Sequence, residues 1–204
     1  MSRIIKDDIE KFFEYGIYPD TRTIYIGSND GSNEDEVNAV LAERAIKGLH
    51  ILDLPKSAKK DITVLLNTPG GDEYAGLAIY DAIRFCQSFV RVKVLGQAAS
   101  MGSIILQAGD ERVLSPNSIV MIHYGTPVHV DPDSPPQTNY NWMAEDARFS
   151  KWMEDLYLYR IRQKHPKYTR KKVKDLLNFD TILTAKEAID LGLADKIEGE
   201  SSEQ

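Results

Sequence analysis

An α/β fold on a largely parallel sheet is predicted for this 204-residue chain. Three observations carry the prediction. Short β-branched runs alternate with segments whose apolar residues recur at helical spacing, and strands joined through helices run parallel with right-handed crossovers. One run, Ile62-Thr63-Val64-Leu65-Leu66, is continuously apolar, as a strand covered on both faces requires. Sharp breaks, above all Thr68-Pro69-Gly70-Gly71, separate strands from the helices that follow. A chain of this length buries roughly 70% of its unfolded surface in one domain, and no second domain is expected.

The elements follow in order. Residues 6–16 carry Ile9, Phe12 and Phe13 among acidic residues, a short amphipathic helix ending near Gly16. Thr23-Ile24-Tyr25-Ile26 is a strand; a Gly/Ser/Asn/Asp-rich loop then leads to a helix with Val37, Val40, Leu41 and Ala45 on one face. After the strand at 62–66, Asp72 is placed to cap a helix whose apolar stripe is Ala75, Ala78, Ile79, Ala82, Ile83 and Cys86. Val90, Val92 and Val94 alternate along a strand at 90–95, which turns at Ser100 into an apolar helix ending at Gly109; residues 119–122 form the next strand. Beyond His123 a Pro/Asp-rich loop from Thr126 to Pro136 enters a long helix over residues 139–164, stopped by Pro166. Its aromatics Trp142, Phe149, Trp152, Tyr157 and Tyr159 exceed one narrow stripe, so part of this surface is expected against another chain. Thr184-Ala185-Lys186-Glu187 is a capping-box pattern opening a helix that stops at Gly192, and residues 198–204 are expected to be a disordered tail.

A net charge of −6 argues against a nucleic-acid-binding surface, and Arg170-Lys171-Lys172 is short enough to be a solvated helix face. The single cysteine, Cys86, forms no internal disulfide; this suits a reducing compartment, and its place on an apolar stripe assigns it to the core. Neither a signal-peptide apolar stretch nor a run of about 18 apolar residues occurs, so a cytoplasmic protein with no membrane partner is expected.

The chemistry centres on Gly96-Gln97-Ala98-Ala99-Ser100-Met101-Gly102. A serine on a tight strand-to-helix turn presents its hydroxyl outward, and the next backbone N–H can face the oxyanion that forms on attack. Serine needs a base, and His123 ends a strand at the sheet edge that Ser100 also leaves; His50, His129 and His165 fall at surface positions. A carboxylate must orient the imidazole; Asp175 and Asp180 both flank Leu176-Leu177, Asp131 and Asp133 lie in the proline-rich loop, and composition does not choose among them. Gly70-Gly71, after a central strand, leaves room for a substrate backbone and can expose an N–H to an oxyanion.

Together these residues resemble the Clp protease proteolytic-subunit (ClpP) family of serine peptidases. Asn67-Thr68-Pro69-Gly70-Gly71 with Ala75-Gly76-Leu77-Ala78-Ile79-Tyr80-Asp81 is similar to the family's Pro-Gly-Gly block and its helix. The block around Ser100 is similar to its nucleophile block, and Leu114-Ser115-Pro116-Asn117-Ser118-Ile119-Val120-Met121-Ile122-His123 to its histidine block. The resemblance runs from about Thr21 to Ile197 and implies a crotonase/ClpP-like layered βαβ fold with a projecting long handle helix. It divides the chain into an N-terminal segment, 1–20, as candidate axial gate, a peptidase domain at 21–197 with the handle region at 126–166, and the tail at 198–204. It makes Ser100 the nucleophile, His123 the base, and Gly71 and Met101 the backbone donors of the oxyanion hole. Counting back from Thr184-Ala185-Lys186-Glu187-Ala188 places the family's aspartate at Asp180, with Asp175 the second choice. It further implies sevenfold rings of this chain, singly or stacked in pairs, an AAA+ unfoldase ATPase as candidate partner, unfolded polypeptide as substrate, and no metal or organic cofactor. Phe179 and Asn178 stand where the family has an arginine and an acidic residue that help two rings clasp.

Two rival readings remain at this point. An acyl-CoA-handling enzyme shares the layered fold and also uses backbone oxyanion holes. A catalytically silent ring scaffold or capsid-assembly factor would keep the fold and lose the activity.

Overall fold

The computed structural model describes residue 10 and residues 12–27, 36–54, 60–126 and 131–199. Residues 12–15 form a helical turn closed by Gly16, whose N–H donates to the Phe12 carbonyl oxygen (2.8 Å). Then follow β1 (Ile17–Tyr18), β2 (Thr23–Gly27), α1 (Ala39–Leu52), β3 (Ile62–Thr68), α2 (Glu73–Arg84), β4 (Val90–Ala99) and α3 (Met101–Gln107). The second half comprises β5 (Glu111–Leu114), β6 (Ile119–Ile122), α4 (Pro136–Lys164), α5 (Arg170–Leu177), β7 (Thr181–Thr184), α6 (Ala185–Leu191) and β8 (Lys196–Ile197). The fold is α/β, with a mostly parallel sheet in the order β1-β2-β3-β4-β5-β8; β6 and β7 branch from β4. Among the described residues antiparallel pairing is confined to β1 on β2 and β7 on β6.

The branch is what positions the site. The first half of β4, Arg91 to Val94, pairs with β5, and its second half, Gln97 to Ala99, pairs with β6. Gly96, at φ +82°, makes the change of partner; a Cβ there would lie 2.8 Å from Asn67 Oδ1, the oxygen that accepts from the Gln97 N–H (3.2 Å). The strand expected to end at residue 95 therefore continues four residues further and brings β6 alongside the Ser100 turn.

Local signals account for the helices. Asp72 accepts from the Ala75 N–H (2.7 Å), as its N-cap role predicts, and Thr184 with Glu187 closes the expected capping box before α6, which ends at Gly192 in the left-handed conformation. Helix α4 begins at Pro136, three residues before the expected start, because proline's fixed φ suits the first helical position. Its buried residues, Met153, Glu154, Tyr157, Leu158 and Ile161, are confined to its second half. Tyr140, Trp142, Met143 and Tyr159 are exposed, whereas Tyr157 is in the core and Phe149 stacks on Trp152 (5.8 Å between centroids).

Several expectations change. In α1 the buried face is Ala42, Ala45, Leu49 and Leu52; Val37 lies outside the helix as a bridge partner of Gly71, and Val40 is exposed. Strand β3 buries Ile62, Val64 and Leu66 completely but Thr63 and Leu65 only in part, so its second face is half covered. Cys86 lies two residues past the end of α2 and is half-buried; burial first, then Asp53 and Asp110, push its thiol up to about 11, so it stays protonated and inert. Glu198, assigned by composition to the tail, donates its N–H to the Leu114 carbonyl oxygen (2.8 Å) and pairs with Lys93 (3.0 Å); residues 200–204, like His129 and residues 1–9 of the N-terminal segment, lie outside the described residues. No helix among the described residues is long and apolar enough to cross a membrane.

Candidate active site

Ser100 caps the junction of β4 and α3 at φ 52°, ψ −122°, outside the regions open to a residue with a side chain. Its backbone is held on both sides. The Ser100 N–H donates to the Met121 carbonyl oxygen (2.9 Å), and its own carbonyl oxygen accepts from the Ser103 N–H (2.9 Å) and hydroxyl (2.6 Å). Tyr157 of α4, fully buried, lies 2.6 Å from Ser103 Oγ, and because that hydroxyl already donates to Ser100, Tyr157 is left to donate. Helix α4 is thus linked through Ser103 to the serine turn.

The Ser100 hydroxyl lies 2.8 Å from His123 Nε2, and His123 Nδ1 lies 2.8 Å from Asp180 Oδ1. An ionised carboxylate only accepts, so Nδ1 carries the proton donated to Asp180 and Nε2 is free to accept from the serine hydroxyl. The side chain of His123 is 24% exposed and that of Asp180 67%, so the chain of hydrogen bonds runs from the interior to the surface. The antiparallel register of β6 on β7 sets Ile122 opposite Thr181, which brings His123 and Asp180, one residue beyond each, face to face. Asp175 is exposed on α5, and the contact to His123 is made by Asp180.

Gly70 and Gly71 take φ +107° and +142°, values that L side chains rarely adopt. The bridge to Val37 uses the Gly70 carbonyl oxygen (2.6 Å from Val37 N) and the Asp72 N–H (2.7 Å to Val37 O). Among the described residues neither the Gly71 N–H nor the Met101 N–H, the first of α3, has an acceptor, and both residues line one cleft of about 390 Å³ with Ser100 and His123. A Cβ on Gly70 would come within 2.6 Å of Ser100 Cβ, so the glycine turn lies directly against the serine turn.

This cleft combines a serine hydroxyl on an imidazole, an imidazole on a carboxylate, and unpaired backbone N–H groups beside them. Against known protein families, the Clp protease model matches residues 20–201. The chain belongs to the Clp protease family. Membership supports a Clp-type peptidase, a hydrolase acting in proteolysis, in a family whose members form oligomeric rings and work with unfoldases.

For this Clp protease family member, several residues around the site were not visible to pattern reading. Tyr124, next to His123, donates its hydroxyl to Glu154 of α4 (2.8 Å), which also accepts from Arg170 of α5 (3.1 Å), and the Tyr124 N–H donates to the Leu177 carbonyl oxygen (2.9 Å). The segment carrying His123 is therefore tied both to α4 and to the end of α5, just before Asp180. Glu154 is a charged residue in the buried stretch of α4, and an acid on an apolar face is the signal that points to such a network. His50 and His165 are exposed, as expected, and His165 meets the Asp190 carbonyl oxygen at the surface (2.6 Å).

Proposed function

We propose that this protein is the proteolytic subunit of an ATP-dependent Clp-type machine, a serine endopeptidase that cuts unfolded polypeptides. Ser100 attacks the peptide carbonyl carbon while His123 Nε2 takes the hydroxyl proton; Asp180 holds the imidazole and stabilises the imidazolium that forms. The negative oxygen of the tetrahedral intermediate is met by the N–H groups of Gly71 and Met101. Collapse breaks the C–N bond, His123 returns the proton to the leaving amine, and water then releases the acyl group from Ser100 by the same route. The peptidase domain is residues 21–197, with the handle at 126–166. Seven copies close a ring whose chamber holds the serines, in the cytoplasm, and an AAA+ ATPase unfolds and feeds the substrate.

The observation that supports this reading is the pair of 2.8 Å contacts joining Ser100, His123 and Asp180. A fluorophosphonate probe is expected to label the native protein at Ser100. Ser100→Ala abolishes both labelling and peptide hydrolysis without changing the melting temperature, and Asp180→Asn lowers kcat roughly 10²- to 10⁴-fold. Hydrolysis that survives Ser100→Ala overturns the reading; retention on a CoA resin without labelling replaces it with an acyl-CoA enzyme.

A further inference from the structure

The cleft around Ser100 has a chemical character that peptide-bond cleavage alone does not use. Its apolar surface comes from Met101, Ile104, Phe149 and Met153, and beside that surface stand the carboxylates of Glu36, Glu73 and Asp146, with no lysine or arginine among the described residues of the lining. Glu73 opens α2 and Asp146 lies on α4, one turn before Phe149, so two separate elements each present an acid to the same space. Neither carboxylate makes a hydrogen bond or ion pair with another described residue. Arg148, the cation that acts on Glu73, is itself held by Glu145 through Nε (2.9 Å) and Nη2.

Acids left facing one another across a partly buried cleft are relieved by a cation between them, and the adjoining apolar surface suits an aliphatic stem. A lysine or arginine side chain has both parts. We propose that Glu73 and Asp146 are specificity-determining residues: polypeptides are cut preferentially where a lysine or arginine flanks the scissile bond and are disfavoured where an acidic residue stands there. The inference rests on the serine-peptidase reading of this cleft and adds its substrate class.

The environment of Glu73 gives the preference a pH dependence. Burial first, then the charges of Asp146 and Glu145 from α4 and of Asp72 from its own cap, push its carboxyl up to about 7, with Arg148 acting the other way. Glu73 is therefore charged above that pH and neutral below it, so selection for cations weakens as the pH falls through 7. A ratio of two substrates cancels any effect of pH that both substrates share.

The test is digestion of a synthetic peptide library by the assembled protein, with cut sites aligned by mass spectrometry. At pH 8, lysine and arginine are expected to exceed aspartate and glutamate beside the cut by roughly tenfold, the factor equivalent to one pKa unit of interaction. The excess shrinks at pH 6 in the wild-type protein, and it falls toward one in Glu73→Gln, in Asp146→Asn and furthest in the double variant. Cut sites indifferent to charge in the wild type, or an undiminished excess in the double variant, overturn this inference alone. A wild-type protein that cuts no peptide and takes no fluorophosphonate overturns the serine-peptidase reading and this inference with it.

Discussion

Arg22 and Ser100 are the two residues other than glycine that hold a positive φ among the described residues, and both stand at 52°. They are held there in opposite ways. Arg22 anchors itself: its guanidinium donates to the carbonyl oxygens of Leu52 at the end of α1 (2.6 Å), Lys60 (2.9 Å) and Asp61 (3.2 Å), and to Ser88 Oγ (3.1 Å). Those bonds cap a helix terminus and tie β2 to the start of β3. The Ser100 side chain anchors nothing among the described residues, where its one hydrogen-bond partner is His123. Its strained backbone is held by Met121, by Ser103 and by the press of Gly70, and Ala98, Ala99, Met101 and Gly102 around it are buried. Strain of this kind costs about 1–3 kcal/mol per residue and persists where the surroundings over-determine it. Where the side chain itself does the holding, the strain serves the fold; where neighbours do it, the side chain is left free for chemistry.

The sharpest way to break this contrast is to disturb the neighbours of Ser100. Gly70→Val puts a branched side chain at φ +107° with its Cβ within 2.6 Å of Ser100 Cβ and 2.9 Å of the Ala99 carbonyl oxygen. It is expected to lower stability by about 3 kcal/mol or more and to remove peptide hydrolysis, both read from urea titration alongside a peptidase assay. Wild-type activity in that variant would mean that Gly70 does not hold the serine turn.

Arg22→Ala should cost somewhat less, about 2–3 kcal/mol, because four hydrogen bonds are lost while the backbone strain stays. Activity per folded molecule is expected to be unchanged. A large loss of activity at full stability would show that the Arg22 turn serves the site after all. The smallest effect is a gain. Ser100→Gly relieves the strain and is expected to stabilise the fold by about 1 kcal/mol, a rise in melting temperature of about 2–4 °C for a chain of this size, with all hydrolysis lost. A fall in melting temperature would mean that the hydroxyl contributes more to the fold than the strain costs.

Much of the site was legible before any coordinates because its parts sit at punctuation. Ser100 and His123 each follow an apolar strand, Gly70 and Gly71 break another, and Asp72 and Thr184 carry capping chemistry that depends on near neighbours alone. Asp180 was harder to separate from Asp175, since both flank Leu176-Leu177 and helical periodicity says nothing of how the turn after α5 closes. The β6–β7 register brings Asp180 rather than Asp175 beside His123, and β7, with the pattern Thr-Ile-Leu-Thr, is too short and too polar at its ends to stand out as a strand. Strand β5, Glu111-Arg112-Val113-Leu114, opens on two charged residues and does not stand out either, whereas the equally short β6 is apolar throughout. The tilt of α1 toward Ala42 and Leu49 rather than Val40 follows from packing against α2 and β2, which the α1 periodicity does not contain.

Local order in the chain therefore pointed to the candidate residues and to the elements on which they lie, because caps, turns and alternation are physics of a few adjacent residues. Tertiary packing settled which of them meet. The switch of β4 from β5 to β6 at Gly96, the pairing of Ile122 with Thr181, and the placing of Glu73 and Asp146 in one cleft all join residues far apart along the chain. Contacts of that range depend on how the sheet branches and how α4 lies against it, and no short window of amino acids carries that information.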